Sequence, residues 1–367
     1  MDGGGVDGAR SGRARTGAVS SGRSILIVDW LGRGGVAHCT QAWATGLADG
    51  GAEVRVATRP GREIEPGAFT VETPPARRSR LTAHLALIRQ AVRVIHECRP
   101  EVVIVQNFVI PSVERRVHEA ARDVGATLVF VVHDHKHHDR SGGSNAGLRA
   151  LLERSTLTIA HSEYVADRLG VDDVVVWPLP AQVGILPPGW EAAVHHPVAR
   201  KVALHFGVVG RGYKGGDEFG RLAADASQEW KFFAAGVGAT GTDRVTAINR
   251  FLSAAELVHI VEAATACVFP YRHASQSGAV ALAQALGSVP VATAVGGLPE
   301  QIEHGVDGLL VEPDHEGQWQ AALRELESPE RCRELGLAAR ARAVRNHDRF
   351  TSNLNQLLDL VLCETRR

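Results

Sequence analysis

Short apolar runs along the chain alternate with longer stretches in which apolar residues recur every three or four positions. The runs predict buried strands, and the periodic stretches predict amphipathic helices. In the first half the predicted strands are Ile25–Val28, Glu53–Ala57, Val102–Val105, Leu128–Val132, Leu157–Ala160 and Val174–Trp177. The helices predicted between them are Val36–Ala48, Ser112–Val124, Asn145–Arg154 and Ser162–Leu169. This alternation predicts a parallel sheet with helices on both faces.

The same alternation resumes after an interval that contains Pro178, Pro180, Pro187, Pro188 and Pro197. Such a high density of prolines is typical of a connection between domains. Beyond it the predicted elements are Val202–Phe206, Phe232–Ala235, Ala254–Ala263, Cys267–Phe269, Leu309–Val311 and a long helix over Ser328–Leu362. We therefore expect an α/β protein with two doubly wound, Rossmann-like domains and a ligand cleft between the carboxyl ends of the two sheets.

The domain boundaries follow from the same pattern. We expect a disordered tail over residues 1–23, because this segment is rich in Gly, Arg and Ser and lacks the apolar centre of a signal peptide. The other expected parts are an N-terminal domain at 24–180, a linker at 181–200, a C-terminal domain at 201–345 and a final helix at 346–367.

Composition narrows the class of protein. The 367 residues are 44% hydrophobic and 22% charged, as in globular proteins with full cores. The net charge of −1 gives no overall attraction to nucleic acid. The five cysteines are scattered and form no CxxC pair, which favours reduced thiols over a disulfide framework. No apolar run is long enough to cross a bilayer, so we expect a cytoplasmic protein.

One predicted helix has a strongly basic polar side. Its apolar positions recur at Leu81, Leu85, Ile88, Val92 and Ile95, and its flanks and polar side carry Arg77, Arg78, Arg80, Arg89, Arg93 and Arg99. This pattern is typical of a helix that covers a sheet and turns a solvated basic face to water. The alternative is a surface for anionic lipid or for a phosphate-bearing acceptor, which would give weak peripheral contact with a membrane.

Two glycine-rich loops follow predicted strands. The first, Gly32–Gly35, lacks the GxGxxG spacing of a dinucleotide fingerprint, which argues against a nicotinamide or flavin cofactor. The second, Gly207–Gly215, contains Arg211 and Lys214. A guanidinium and an ammonium group in such a loop suit a diphosphate.

A third candidate anion site lies in the segment Pro270–Glu300. A predicted strand is followed by a polar loop, and a helix then begins at Ser277–Gly278. The first amides of a helix have no internal partner and lie at the positive end of its dipole. The alternative is an ordinary connection between a strand and a helix.

A run of histidines, His133–Asp139, follows another predicted strand. It resembles the HxHxDH run of some metal-dependent hydrolases, but His137 replaces the required aspartate. The alternatives are a polar loop with solvated histidines and a single cleft-facing residue, His133, acting as a hydrogen-bonding or acid–base group. There is no DxD-type motif, since Asp172 and Asp173 are adjacent. We expect no metal ion.

Together these segments resemble a known family. In order they are GRGG, VVHDHKHHD, HSEYVADRL, HFGVVGRGYKGGDEF, NRFLSAAELVHIVEAATACVFPY, the Pro270–Glu300 stretch and HGVDGLLVEPD. Their order and spacing are similar to those of the retaining glycosyltransferases of family 4, the group 1 glycosyl transferases, which have the GT-B architecture. The resemblance extends from about Ser24 to Asp314.

The resemblance implies a hexosyltransferase-type reaction that retains configuration and needs neither a metal ion nor a cofactor. A nucleotide-diphosphate sugar donor would bind mainly to the second domain. A glycan, a lipid-linked acceptor or a small metabolite would bind to the first, and no nucleic acid is implied. The implied roles are diphosphate contacts from Arg211 and Lys214, phosphate-binding amides at Ser277, Gly278 and Ala279, base contacts at Phe251 and Leu252, close approach at Gly34 and Gly35, and His133 beside the sugar and the attacking hydroxyl.

The sequence departs from the family at one point. Many members have two glutamates eight positions apart around this helix, and the corresponding residues here are Ser275 and Ala283. The later glutamate usually holds the donor ribose, so the identity of the donor is left open. The alternative functions are a nucleotide-sugar epimerase or hydrolase on the same fold and a non-catalytic donor-binding relative.

Overall fold

A computed structural model describes residues 23–135, 146–192 and 201–364 of the chain. The expected tail, apart from Arg23, lies outside the described residues. So do the later part of the histidine run, including His137, and residues 193–200 of the expected linker.

The first domain is a seven-stranded parallel sheet in the order β3-β2-β1-β4-β5-β6-β7. Its strands are β1 (Ser24–Asp29), β2 (Glu53–Ala57), β3 (Thr70–Glu72), β4 (Val102–Gln106), β5 (Thr127–Val132), β6 (Leu157–Ala160) and β7 (Val174–Val176). Its helices are α1 (Gly34–Asp49), α2 (Arg80–Cys98), α3 (Pro111–Asp123), α4 (Ala146–Leu152) and α5 (Glu163–Leu169). The central strands are almost wholly apolar because helices cover both faces of the sheet.

The second domain is a six-stranded parallel sheet in the order β10-β9-β8-β11-β12-β13. Its strands are β8 (Val202–Phe206), β9 (Lys231–Ala235), β10 (Val245–Ile248), β11 (Ala266–Phe269), β12 (Val289–Thr293) and β13 (Leu309–Val311). Its helices are α6 (Gly216–Asp225), α7 (Ala254–Ala263), α8 (Gly278–Ala285), α9 (Leu298–Gln301), α10 (Glu316–Glu325) and α11 (Pro329–Glu364). The expected α/β architecture is confirmed.

The amphipathic helix α2 buries a different stripe from the one that the sequence suggests. Leu81 is 56% exposed, whereas His84 is buried among the apolar residues of the same face. The periodicity of the apolar residues identified the helix, but His84 replaces Leu81 in the buried stripe because it pairs with the buried Glu114 of α3. None of the described helices combines the length and apolar character that a bilayer crossing requires.

The described part of the expected linker packs as part of the second domain. Ile185, Leu186 and Trp190 are buried against the core formed by β8, β11 and α8. The prolines in this segment end regular secondary structure. Burial of the apolar residues between them favours packing of the segment against the second domain.

Helix α11 extends over both domains. It is 36 residues long and its early residues Cys332 and Leu335 are buried in the second-domain core. Farther along, Phe350 packs edge-on to Trp43 of α1, with ring centroids 5.5 Å apart, and Trp43 in turn stacks on Trp177. The final helix therefore completes the core of the first domain as well.

Because Phe350 is 1% exposed and fills the space beside two tryptophans, we expect Phe350→Ala to lower the free energy of unfolding by about 3–5 kcal/mol. Urea denaturation measures the change. The exposed neighbour Arg349 provides the control, and Arg349→Ala should leave the midpoint nearly unchanged. Equal midpoints for both variants would contradict the packing described for this helix.

Candidate functional site

The two domains are hydrogen-bonded to one another where the carboxyl ends of their strands meet. The carboxylate of Glu300 accepts hydrogen bonds from the backbone amides of Glu163 and Tyr164, each at 2.7 Å. Beside them the Ser162 hydroxyl donates to the carbonyl oxygen of Ser275 at 3.1 Å. An acidic side chain of the second domain thus occupies the positive end of α5 in the first.

Lys214 lies in a short 3-10 helix, Gly212–Lys214, directly after β8. Its Nζ is 3.7 Å from the centroid of the Tyr271 ring, a cation–π contact. The pKa of the Lys214 ammonium is lowered to about 8, chiefly by burial; Tyr213 and Asp134 act to raise it, and the cationic Arg211 acts to lower it. Asp134 belongs to the first domain, so the two domains interact electrostatically at this lysine.

The loop that carries Lys214 is braced from the adjacent strand. Gly215 has φ +69°, and a Cβ there would lie 1.8 Å from the Pro270 carbonyl oxygen, so only glycine fits. Arg272 donates its amide to the Tyr213 carbonyl and its Nη1 to the Gly212 carbonyl, at 2.8 and 2.9 Å. The position of the lysine is therefore set by backbone contacts.

The start of α8 follows β11, the strand before Tyr271, and one of its amides is already used. Ser277 caps the helix by accepting from the Val280 amide, and its own amide donates to Gln301 Oε1 at 2.7 Å. Among the predicted phosphate-binding amides, those of Gly278 and Ala279 are the better candidates. The buried Gln182 side chain lies over Gly278, where a Cβ would be 3.2 Å from its Nε2.

The two residues predicted to contact the nucleobase differ in their exposure to solvent. Phe251 is 63% exposed, whereas Leu252 is 5% exposed and packs in the second-domain core. Only Phe251 presents a free face to a ligand. Alternation of side chains along the extended segment before α7 accounts for the difference.

The glycine loop of the first domain is open where α1 begins. Gly34 has φ +65°, and a Cβ at Gly34 or Gly35 would meet nothing within 4 Å. The amide of Gly34 donates to Glu63 Oε2 at 2.8 Å. The structure thus leaves room beside these two glycines, as the sequence interpretation requires.

His133 follows β5 at the carboxyl edge of the first sheet and is 4% exposed. Its Nε2 is 2.9 Å from Gln106 Oε1, so the ring is fixed by a hydrogen bond. Burial lowers its pKa to about 4. The imidazole is therefore neutral near pH 7, and with its proton on Nε2 its Nδ1 can accept a hydrogen bond from a hydroxyl.

One group among the described residues has the donor atoms for a soft metal ion. Cys39, His133 and His161 each offer a ligand atom, and these atoms lie within 4.8 Å of one another. The Cys39 Sγ is 3.5 Å from His161 Nε2. Only His133 of this group belongs to the contiguous histidine run, and His135 instead packs edge-on to Tyr164.

The two positions that depart from the family pattern are both buried. Ala283 is 0% exposed within the second-domain core, and Ser275 is 5% exposed at the domain contact. Sequence reasoning assigned no role to four residues that the structure places at Lys214, Gly278, the Ser277 amide and the start of α5, namely Tyr271, Gln182, Gln301 and Glu300. Each acts through a contact that is distant in sequence, and no local motif indicates it.

Two adjacent parts of the chain match known families. Residues 34–189 match the family described as Glycosyl transferase 4-like domain, and residues 192–328 match Glycosyl transferases group 1. A D-inositol 3-phosphate glycosyltransferase of Thermobispora bispora is 41% identical over 97 residues, which cover 26% of this chain and 22% of that enzyme. The corresponding protein of Segniliparus rotundus is 40% identical over 93 residues, 25% of this chain and 20% of that enzyme. The match thus spans about a fifth of each relative.

Solved structures resemble the chain over nearly its whole length. Anabaena Alr3699/HepE, solved with UDP and glucose, has a TM-score of 0.68 and 18% identity, and the likeness covers 93% of this chain and 99% of that one. Sucrose-phosphate synthase from Thermosynechococcus elongatus has a TM-score of 0.74 and 17% identity, over 93% and 100% of the two chains. At these identities the likeness establishes the fold.

Removal of the Glu300 carboxylate should loosen the contact between the domains. In Glu300→Ala the amides of Glu163 and Tyr164 lose their acceptor, so we expect their hydrogen exchange to accelerate by about tenfold or more. Exchange mass spectrometry of the peptide over residues 161–169 measures this. Glu303→Ala, at another exposed glutamate, is the control, and unchanged protection in Glu300→Ala would refute the link.

Proposed function

The chain belongs to the group 1 glycosyl transferases and has the GT-B fold, and from this we propose that it moves a sugar from a nucleotide-diphosphate donor to an acceptor hydroxyl. We further propose that the reaction retains the configuration of the sugar, as in family 4. A UDP-sugar is the first donor to test, because the structurally similar HepE was solved with UDP.

The observation that carries the proposal is the position of Lys214. In the loop after β8 its ammonium group lies over the ring of Tyr271, and both Tyr271 and the start of α8 follow β11. A diphosphate placed there would meet the lysine, the exposed Arg211 and the amides of Gly278 and Ala279. Such groups stabilise the negative charge that develops on a departing diphosphate.

The first domain would supply the acceptor side. A neutral His133, fixed by Gln106, suits a hydrogen bond to a sugar hydroxyl or to the attacking hydroxyl. Attack from the face of the leaving group would account for retention and requires no enzyme nucleophile. Side-chain cations and helix amides balance the phosphate charge in this proposal, which therefore includes no divalent metal ion.

The exposed Phe251 is the proposed contact for the nucleobase, since an aromatic ring can stack on any base. The acceptor would be a glycan, a lipid-linked glycan or a small metabolite. A cytoplasmic location and peripheral contact with anionic lipid through the basic side of α2 are also proposals.

Product analysis tests the reaction itself. The chain is incubated with UDP-glucose and other nucleotide-diphosphate sugars, with and without a panel of acceptors, and the products are followed by NMR at the anomeric carbon. Transfer with the anomeric configuration of the donor supports the proposal. Turnover of the donor alone would indicate an epimerase or hydrolase, and an intact donor throughout would indicate a non-catalytic relative.

Loss of either cation should weaken donor binding. We expect Lys214→Ala and Arg211→Ala each to raise the dissociation constant for UDP-glucose by about 10–100-fold, because each removes charge-assisted hydrogen bonds to phosphate. Calorimetry measures the constant. Lys231→Ala, at the opposite end of the sheet, is the control, and unchanged affinity in both site variants would count against the diphosphate site.

The lowered pKa of Lys214 predicts a dependence of donor affinity on pH. The ammonium form, which attracts phosphate, predominates below pH 8 and is lost as the pH rises through the pKa of about 8. Affinity for UDP-glucose should fall by up to about tenfold between pH 7 and pH 9. In Lys214→Arg the guanidinium stays charged, so a variant that binds should lose this dependence. A flat profile for the unmodified chain would contradict the prediction.

A further inference from the structure

We propose that an arginine cluster in the first domain, formed by Arg33, Arg59, Arg62 and Arg80 around Gly32, binds a phosphate monoester group. That this phosphate belongs to the acceptor rests on the proposed function. The binding of phosphate itself does not depend on it.

The loops after β1 and β2 meet at the carboxyl edge of the sheet and bring Arg33, Arg59 and Arg62 together, and Arg80 at the start of α2 lies close enough to lower the pKa of Arg59. Gly32 has φ +62°, and a Cβ there would lie 2.7 Å from Thr58 Oγ1 and 3.5 Å from Arg62 Cβ. Arg33 Nε donates to the Gly61 carbonyl at 3.1 Å. The side chain of one loop is therefore tied to the backbone of the other.

Arg59 contacts the buried His84, which in turn pairs with the buried Glu114. Its Nη2 is 3.3 Å from His84 Nδ1, and His84 Nε2 is 2.9 Å from Glu114 Oε1. His84 and Glu114 are 1% and 0% exposed. Burial lowers the pKa of Arg59; Asp29 and Glu114 raise it, and the nearby cations Arg80 and Arg33 lower it again. The guanidinium is thus fixed in place beside other positive charges.

Several polar atoms around Gly32 have no hydrogen-bond partner within the described part of the chain. They are Thr58 Oγ1, Arg59 Nε and Arg62 Nε, together with Oδ2 of the buried Asp29, whose Oδ1 accepts from the Gly32 amide. Thr58 is 0% exposed, and buried polar groups are normally paired because an unmade hydrogen bond leaves the group desolvated without compensation. Phosphate oxygens would accept from both guanidinium groups and from the hydroxyl, and would offset the repulsion among the cations.

Two arginines of the cluster lie at the amino ends of helices, where the helix dipole is also positive. Helix α2 begins at Arg80, and its first turn contains no acidic residue. Arg33 precedes α1 and makes no capping hydrogen bond with its side chain. Positive side chains at the amino end of a helix oppose its dipole, and a bound anion would remove that conflict.

The cluster is separate from the proposed donor site. Arg211 and Lys214 follow β8 in the second sheet, whereas the cluster follows β1 and β2 in the first. It lies at the same carboxyl edge as His133, which follows β5. A phosphorylated acceptor could therefore be held by its phosphate on the first domain while the second domain holds the donor.

The test is a titration of inorganic phosphate against the full chain saturated with UDP, so that the donor site is filled. Thermal unfolding follows binding, since a ligand raises the melting temperature by mass action. Each variant is compared with itself in the absence of phosphate. We expect Arg59→Gln and Arg62→Gln each to weaken phosphate binding by about 10–100-fold. Arg115→Gln, at an exposed arginine of α3 paired with Glu119, should bind as the unmodified chain does.

Two results would overturn the proposal: no effect of phosphate on the unmodified chain, or equal phosphate binding in both cluster variants and the unmodified chain. The same titration of Lys214→Ala without UDP measures phosphate binding at the arginine cluster even if the proposed donor site does not bind UDP. The two hypotheses are therefore tested separately. Competition by glycerol 3-phosphate or by vesicles of phosphatidic acid in phosphatidylcholine then shows whether a soluble ester or a lipid headgroup is preferred, and failure of both to compete would count against a phosphate monoester.

Discussion

The hydrogen bonds from the Glu163 and Tyr164 amides to Glu300 fix the two domains with their carboxyl edges facing each other. The site depends on this arrangement, because its proposed parts come from different sheets. Lys214 follows a strand of the second sheet, and Asp134, close enough to raise its pKa, follows a strand of the first. A helix end that would otherwise attract a solute anion is neutralised by a side chain of the protein itself, unlike the proposed anion sites at Gly278 and at the arginine cluster.

The chain controls charge at these sites largely through burial. Desolvation brings the pKa of Lys214 down to about 8 and that of His133 to about 4. The lysine thus stays cationic near neutral pH, and the histidine stays neutral. A neutral imidazole whose Nε2 proton is donated to Gln106 can accept a hydrogen bond at Nδ1, and it adds no second positive charge to that of the proposed phosphate-binding lysine.

Sequence alone predicted the sheet architecture well because parallel strands that are buried on both faces consist of continuous apolar runs. The bounds of β2, β6, β8 and β13 match the runs to the residue. Strands β3 and β10 were not predicted, since neither contains an unbroken apolar run: their sequences are TVE and VTAI. The family pattern indicated which loops would bind an anion, but it could not show that Gln301 uses the Ser277 amide or that Leu252 is buried, because both depend on partners distant in sequence.

Helix α11 has a consequence for how the protein is made. Its residues Phe350, Leu354 and Leu357 complete the first-domain core beside Trp43, yet they follow the strands of the second domain in the sequence. During synthesis the first domain therefore has an apolar surface uncovered while the second domain emerges. The order of translation makes the docking of α11 the step that completes the first-domain core, and a nascent chain that stops before Phe350 exposes apolar surface that chaperones can bind.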